Sequence, residues 1–291
     1  MKRIFLFVLT NIAVLALVSV VLFVLGLLGF HLPVVQSGAN LGPLLVVGAL
    51  FGFGGAFISL LMSKWMAKHA MGVRVIEQPM NGQEAWLVET VRRQAGVAGV
   101  GMPEVGIFDS PELNAFATGA SRNHALVAVS SGLLARMSPD EAEAVIGHEL
   151  THIANGDMVT MTLLQGVLNT FVFALARVIG SVLDRDDRRG GMYFIVVMVA
   201  QIALGFLASL VVMWFSRQRE FRADAGGARL AGRAKMIGAL QALQRNHPED
   251  LPATQLAAFG ISGSERGSSL SRLMMSHPPL EERIAARQKA A

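Results

Sequence analysis

The chain contains no cysteine, and only 7% of its residues are aromatic and 16% are charged. Without cysteine there is no disulfide framework and no thiolate ligand, so a zinc site in this chain must use imidazole and carboxylate groups. The scarcity of charge accompanies 53% hydrophobic residues and a mean hydropathy of +0.49, which excludes an ordinary soluble domain. The sequence therefore predicts an integral membrane protein.

Four long apolar runs account for this composition. Residues 4–30 and 41–62 form a first pair, and residues 158–183 and 192–216 form a second pair. Each run has the length that a helix needs to cross a bilayer, roughly 20 residues. We predict two hydrophobic hairpins and a multi-pass protein embedded in the lipid bilayer.

Basic residues set the orientation of the first hairpin. Lys2 and Arg3 precede it, and Lys64 and Lys68 follow it. Because Lys and Arg concentrate on the cytoplasmic side of membranes, we expect both ends of this hairpin in the cytoplasm. The second hairpin gives a mixed signal, since its loop, 184–189, holds three arginines and three aspartates. Helices that do not fully span the membrane are an alternative there.

The most informative stretch is the sequence HELTH at positions 148–152. On a helix, residues four apart share a face, so His148 and His152 can hold one metal ion. Glu149 beside them can act as the base that takes a proton from the attacking water. This pattern also occurs by chance in proteins that bind no metal. Here a Ser-Pro-Asp-Glu capping box predicts that a helix begins at Pro139 and carries the motif.

A catalytic zinc site takes three protein ligands, so a third donor is required. Asp157 is close in sequence, but it lies on or just past the end of the same helix, about 140° from His152 in phase, and would reach the metal poorly. Glu220 is the better candidate, and Asp224 is predicted to orient a ligand histidine. The alternative is that both acids pair with neighbouring arginines on a solvated helix face.

The polar segment between the hairpins predicts a small α+β domain. A helix is expected over 83–96, followed by short strands over 105–108, 115–118 and 125–129 and then by the motif helix. After the second hairpin, helices are predicted over 220–230 and 235–244 and after Pro278-Pro279, and 248–269 is predicted to be a mobile loop. The chain thus divides into a transmembrane hairpin (1–66), a first catalytic part (67–157), a second hydrophobic hairpin (158–216) and a second catalytic part (217–291).

Four motifs together resemble the HtpX family of membrane zinc endopeptidases: HELTH, EFRAD at 220–224, LNAFATG at 113–119 and SHPPLEER at 276–283. The likeness spans nearly the whole chain, and the family is related to the CAAX prenyl endopeptidases. It implies a mainly helical zincin-like catalytic domain with a small sheet, carried by transmembrane hairpins. It also implies a gluzincin-type site with one Zn2+ per chain, held by His148, His152 and Glu220, with Glu149 as general base.

The other shared motifs imply further roles, each with an alternative. Asn114, Ala115, Phe116 and Ala117 resemble the edge strand beside the active site, to which a substrate peptide adds by main-chain pairing; an ordinary hairpin strand fits the sequence equally well. His277 resembles a residue near the site that could donate to the oxyanion. It could also cap a helix or lie on the surface.

These features predict a metalloendopeptidase of a bacterial-type inner membrane. The resemblance implies protein quality control under stress, with misfolded or damaged membrane proteins and unfolded polypeptides as substrates. Because the predicted ligands lie just before and just after the second hairpin, both of its ends must emerge on one membrane face, which we expect to be the cytoplasmic one. A CAAX-type prenyl-peptide endopeptidase and a non-catalytic membrane scaffold or transporter are the alternatives.

The excess of basic residues in the chain indicates what it can bind. The sequence pI is near 9.9, and the arginines cluster beside apolar runs. Anionic lipid headgroups explain that pattern, whereas nucleic acid binding is not indicated, because no aromatic residues alternate with the basic ones. The sequence does not indicate an oligomeric state.

Overall fold

The computed structural model describes residues 41–183, 190–246 and 277–290. The first predicted membrane run, the loop 184–189 and the predicted mobile loop 248–269 lie outside these residues. The chain divides into two compact units. One comprises residues up to Ser59 together with Thr160–Val212, and the other comprises Leu60–Val159 together with the residues from Met213 onward.

In chain order the elements are α1 (Leu41–Ala70), β1 (Arg74–Val75), α2 (Gly82–Ala98), β2 (Glu104–Phe108), β3 (Ala115–Ser121), β4 (His124–Ser130), α3 (Ser131–Arg136), α4 (Pro139–Asn155), α5 (Asp157–Leu183), α6 (Gly190–Ala231), α7 (Arg233–Arg245) and α8 (Leu280–Lys289). The predicted α+β fold class is confirmed, and every helix and strand predicted within these ranges is present. The fourth apolar run and the helix after it form one unbroken helix, α6. Neither β1 nor α3 was predicted, because both are too short to show a period.

Among the described residues, three helices are long and apolar enough to cross a membrane by length and composition. They cover Leu45–Ala70, Asp157–Ser181 and Tyr193–Ala231. This finding agrees with the second, third and fourth apolar runs of the sequence, while the first run lies outside the described ranges.

Small residues bring α1 and α5 together in the first unit. Gly48 and Gly52 lie four apart on α1, opposite Gly166 and Thr170 on α5. The Thr170 hydroxyl donates to the Gly166 carbonyl at 2.7 Å and lies 3.3 Å from the Gly48 carbonyl. Without a hydrophobic drive between helices in lipid, such close contacts of small residues hold membrane helices together.

Arg177 is a charged residue inside the third apolar run. Its guanidinium lies 3.2 Å from the centre of the Phe173 ring and donates to the Phe173 carbonyl at 3.0 Å. A ring face and a carbonyl both favour a cation, so these contacts offset part of the cost of placing this charge on an apolar helix.

The second unit contains a four-stranded sheet with the order β1-β2-β4-β3. β2 and β4 are parallel, while β1 and β3 pair antiparallel with β2 and β4 respectively. Strand β4 is buried from Ala125 onward because helices and neighbouring strands cover it. β3 is an edge of this sheet, and a bulge interrupts its pairing between Gly119 and Ser121.

Helix α4 lies at the centre of the second unit. It contacts α2 and α7, and on another side it contacts β3 and β4. Its apolar side chains Ile146, Leu150 and Ile153 are fully buried in the core. A helix fixed on so many sides is a rigid support for the two histidines that it carries.

Candidate metal centre

Local sequence signals fix both ends of α4. The Ser138 hydroxyl accepts from the Glu141 N–H at 3.3 Å, and the Glu141 carboxylate accepts from the Ser138 N–H at 2.9 Å. This capping box confirms the predicted start at Pro139. The helix ends at Gly156, whose φ of 65° is left-handed and whose N–H bonds the His152 carbonyl.

His148 and His152 face the same side of α4, as residues four apart must. Both are buried, with 7% and 8% of their surface exposed, and their Nε2 atoms are 3.1 Å apart. Two imidazole nitrogens therefore converge on one point in a nearly dry environment.

Close packing of α6 against α4 positions the third group. A Cβ at Gly226 would lie 2.2 Å from Thr151 Cγ2, and a Cβ at Gly227 would lie 3.0 Å from the His148 backbone nitrogen. Only glycine permits this approach. It brings Glu220, which lies upstream on the same helix, to the two imidazoles.

The Glu220 carboxylate is 1% exposed and faces both rings. Its Oε2 lies 3.3 Å from His148 Nε2, and its Oε1 lies 3.5 Å from His152 Nε2. Within the described part of the chain, neither carboxylate oxygen has a hydrogen-bond partner of good geometry. A buried carboxylate without well-formed hydrogen bonds is costly unless a cation compensates it.

The three groups meet the requirements of a metal site. One donor atom from each of His148, His152 and Glu220 lies within 4.8 Å of the others. Two imidazoles and one carboxylate are a donor set found in catalytic zinc sites, where the fourth coordination position is left open for water or substrate. The solvated helix face that was the alternative for Glu220 and Asp224 is wrong, since both acids are buried.

A series of buried contacts fixes the outer ring nitrogen (Nδ1) of His148. Its Nδ1 lies 2.9 Å from Asp224 Oδ1, and Asp224 is fully buried. Arg283 of α8 donates from Nε to Asp224 Oδ2 at 2.8 Å and from Nη2 to Asp224 Oδ1 at 2.6 Å. Burial opposes the charged form of His148, but the nearby carboxylates of Asp224 and Glu220 outweigh it and raise its pKa to about 9.

His152 has a partner from the adjacent chain segment. Its Nδ1 lies 2.6 Å from Asp157 Oδ2. The sequence predicts that Asp157, on or just past the end of the motif helix, reaches the metal poorly, and in the structure α4 ends before Gly156 and Asp157 begins α5. Asp157 is accordingly not in the convergent group of three. It contacts the outer nitrogen of the ring instead, a position that the helical phase did not foresee.

Glu149, His277 and the β3 segment lie around this centre. Glu149 is half-buried on α4, and its charge acts on His148. His277 is exposed, with its Nδ1 3.0 Å from Glu220 Oε2. Ala115, Phe116 and Ala117 are half-buried in β3, which contacts α4, while the exposed Asn114 just precedes the strand.

Sequence reasoning missed two residues, Asp157 and Arg283. For Asp157 the available signal was Gly156, a residue typical of the end of a helix. For Arg283 the only signal was its place within the SHPPLEER motif.

The sequence has relatives among peptidases. Residues 81–291 match the model of peptidase family M48. A protein named Protease HtpX homolog from Nitrosomonas eutropha is 60% identical over 100% of both chains. Protease HtpX from Xanthomonas oryzae pv. oryzae is 59% identical and matches over 99% of this chain and 98% of the relative. Protease HtpX from Thioalkalivibrio sulfidiphilus is 60% identical over 98% of each.

The fold also has a counterpart among solved structures. The crystal structure of S. mikatae Ste24p superposes with a TM-score of 0.61 at 18% identity and covers 97% of this chain. The chain spans 66% of the length of that structure. At this identity the likeness concerns the fold alone.

Proposed function

Since the chain belongs to peptidase family M48 and is a membrane metalloprotease of the HtpX type, we propose that His148, His152 and Glu220 hold one catalytic zinc ion. One observation carries this proposal. The buried Glu220 carboxylate makes no hydrogen bond of good geometry within the described residues and faces two converging imidazole nitrogens. A zinc ion held by these residues would supply a Lewis acid and would make water a stronger nucleophile near neutral pH.

Glu149 is the proposed general base. It takes a proton from the attacking water and hands it to the leaving amine, so that no covalent intermediate is needed. Its position next to His148 and its partial exposure support this role, because a base must be reached by substrate as well as by water. His277, which is exposed and contacts Glu220, is the proposed donor to the oxyanion that forms on the substrate carbonyl.

Asp224 and Asp157 are the proposed orienting groups. Each accepts the N–H of a histidine Nδ1 and so leaves the Nε2 lone pair directed at the shared point. The two rings then carry the tautomer that a metal ligand requires.

The substrate peptide is proposed to bind along β3. Within the described residues this strand has no neighbouring strand on one side, and it contacts α4, which carries Glu149. An extended peptide can add to such an edge by main-chain hydrogen bonds, at Ala115, Phe116 and Ala117, which begin the strand, and at Asn114 just before it. Unfolded segments are the natural substrates for this mode, which fits misfolded or damaged membrane proteins.

Three apolar helices and bacterial relatives indicate a bacterial inner-membrane protein. We place its active site on the cytoplasmic face, and Lys64 and Lys68 at the end of α1 support this orientation. We also keep the division into a catalytic domain of 67–157 and 217–291, interrupted by the hairpin 158–216. The second compact unit has a similar interruption. The scaffold or transporter alternative is set aside, because the family is one of peptidases.

The test uses the full chain purified in detergent, with a Glu149→Gln variant. We expect this variant to keep one zinc per chain and to lose about 100- to 10,000-fold in the cleavage rate of unfolded casein, because a positioned base contributes about that much. Asp140→Asn, an exposed change on the same helix, is the control and should cleave normally.

The outcomes separate the parts of the proposal. A wild-type chain that holds no zinc or cleaves no polypeptide would contradict the proposed function. An active Glu149→Gln variant with full zinc would remove only the role of Glu149. Cleavage of a prenylated peptide alone would favour the CAAX-type endopeptidase instead.

A further inference from the structure

Arg283 is a buried charge that the proposed reaction does not use. It lies on α8 with 6% of its surface exposed, and its forked guanidinium donates hydrogen bonds to both carboxylate oxygens of Asp224. Its Nη2 also lies 3.8 Å from Glu220 Oε2. A buried guanidinium in a two-point contact is geometrically selective, since arginine keeps its charge and its planar shape.

The contact fixes the Asp224 carboxylate for a second partner. Asp224 Oδ1 meets both Arg283 Nη2 and His148 Nδ1, at 2.6 Å and 2.9 Å. With both oxygens held by the fork, the carboxylate cannot rotate, and Oδ1 stays directed at the imidazole. Arg283 Nη2 also lies 3.5 Å from His148 Nδ1. Arg283 therefore acts on the orientation of His148 from the side of its outer nitrogen, chiefly through Asp224, without touching the metal-facing nitrogen.

Charge balance points the same way. Arg283 places one permanent cation among Asp224, Glu220 and Glu149, all three of which act on its charge. Without Arg283, the buried carboxylates of Asp224 and Glu220 would both lie close to His148 with no permanent positive charge from α8. Repulsion between them would loosen the ligand set.

On the basis of the proposed zinc site, we propose that Arg283 is a positioning residue that makes the C-terminal helix α8 part of the metal centre. Zinc affinity then depends on a helix that contributes no ligand of its own. Carboxylates or carbonyls behind a ligand histidine commonly change metal affinity by about 10- to 100-fold. Here we expect the same kind of effect from Arg283, which fixes the carboxylate that contacts the histidine.

Other contacts hold α8 in place, so a change at Arg283 need not release the helix. Ile284 is buried in the core cluster, and Leu280 packs against it. Gln244 of α7 donates to the Glu281 carboxylate at 2.8 Å. Loss of positioning and loss of docking can therefore be measured separately.

The experiment compares the full chain with Arg283→Gln, Arg283→Lys and the exposed control Lys289→Gln on the same helix. Zinc affinity is measured in detergent by competition with a chromophoric chelator. We expect about a 10- to 100-fold loss for Arg283→Gln. The loss for Arg283→Lys should be smaller, because lysine restores the charge without the fork. Lys289→Gln should bind zinc as the wild type does.

Two readouts distinguish positioning from mere folding support. Amide hydrogen exchange of Leu280–Lys289 should stay protected in Arg283→Lys. The visible spectrum of bound Co2+ should change in both Arg283 variants, because it reports how the ligands are oriented. Combining Arg283→Gln with Asp224→Asn should weaken zinc binding little beyond Asp224→Asn alone, since both changes act through one carboxylate.

The results also separate this inference from the proposed function. A wild-type chain without stoichiometric zinc would contradict the zinc site itself. Tight zinc in the wild type with unchanged affinity and an unchanged Co2+ spectrum in both Arg283 variants would overturn the positioning role. Fully additive losses with an unprotected α8 would overturn it too, in favour of plain structural support.

Discussion

The two imidazoles of the candidate metal centre lie four residues apart on one helix, yet their outer ring nitrogens (Nδ1) have partners of different kinds. The near arm, His152 with Asp157, joins residues five apart in the chain. The far arm, His148 with Asp224 and Arg283, joins residues 76 and 59 apart. The near arm needs only the end of α4 and one turn, whereas the far arm exists only when α4, α6 and α8 are packed together.

This difference teaches which part of the site depends on the whole fold. A local contact forms with its helix, while a long-range contact carries the entropy cost of ordering the chain between its ends. We therefore expect the far arm to be more sensitive to substitution and to loss of tertiary structure than the near arm.

The largest effect is expected where the two arms meet, at Glu220. Glu220→Gln removes the negative charge that faces both rings, so on the proposed ligand set zinc should be lost on dialysis against a mild chelator and proteolysis should disappear with it. Metal content per chain measures the effect. Glu89→Gln, an exposed change on α2, is the control. Full zinc retention by Glu220→Gln would mean that another group is the third ligand.

The second prediction sets the arms against each other directly. Asp224→Asn should weaken zinc binding more than Asp157→Asn, because it also leaves the buried Arg283 without its carboxylate. Breaking a buried pair in this way costs about 3–5 kcal/mol of the free energy of unfolding, which denaturant unfolding in mixed micelles can measure. An equal or greater loss from Asp157→Asn, in affinity and in stability, would reverse the ranking of the arms.

A smaller effect is expected from the contact that lets α6 approach α4. Gly226→Ala would place a Cβ 2.2 Å from Thr151 Cγ2, so the helices must separate slightly. We expect a loss of about 1–3 kcal/mol in stability and a modest fall in zinc affinity, through the far arm. Gly205→Ala on the same helix is the matched control, since its Cβ would meet nothing within 4 Å. A thermal midpoint for Gly226→Ala equal to that of Gly205→Ala would contradict the close-packing argument.

The near arm and its helix could be predicted because their determinants are local. The capping box at Ser138 and the spacing of His148 and His152 are properties of a short stretch of chain, and the structure confirms the helix that they predict. Asp157 was set aside as a metal ligand, in agreement with the convergent group of three, but its contact with the outer nitrogen of His152 was not foreseen, because the phase argument considered only the metal. A glycine after the last apolar turn was the available warning.

The far arm could be predicted only in part. Asp224 was identified because it follows Glu220 by one helical turn. Arg283 could not be paired with it, since nothing in a sequence measures the distance between residues on separate helices. The close approach at Gly226 and Gly227 is equally a property of packing, although two adjacent glycines inside a helix are an unusual choice.

The bulge at Gly119 limits how much of β3 a bound peptide could use. Regular pairing with β4 runs from Ala115 to Gly119, where alanine and threonine outnumber the single aromatic, Phe116. An edge so short and so poor in large side chains offers main-chain contacts but few pockets, and pockets are what select particular residues. Cleavage would then depend on whether a segment can adopt an extended conformation, and only weakly on its amino-acid sequence.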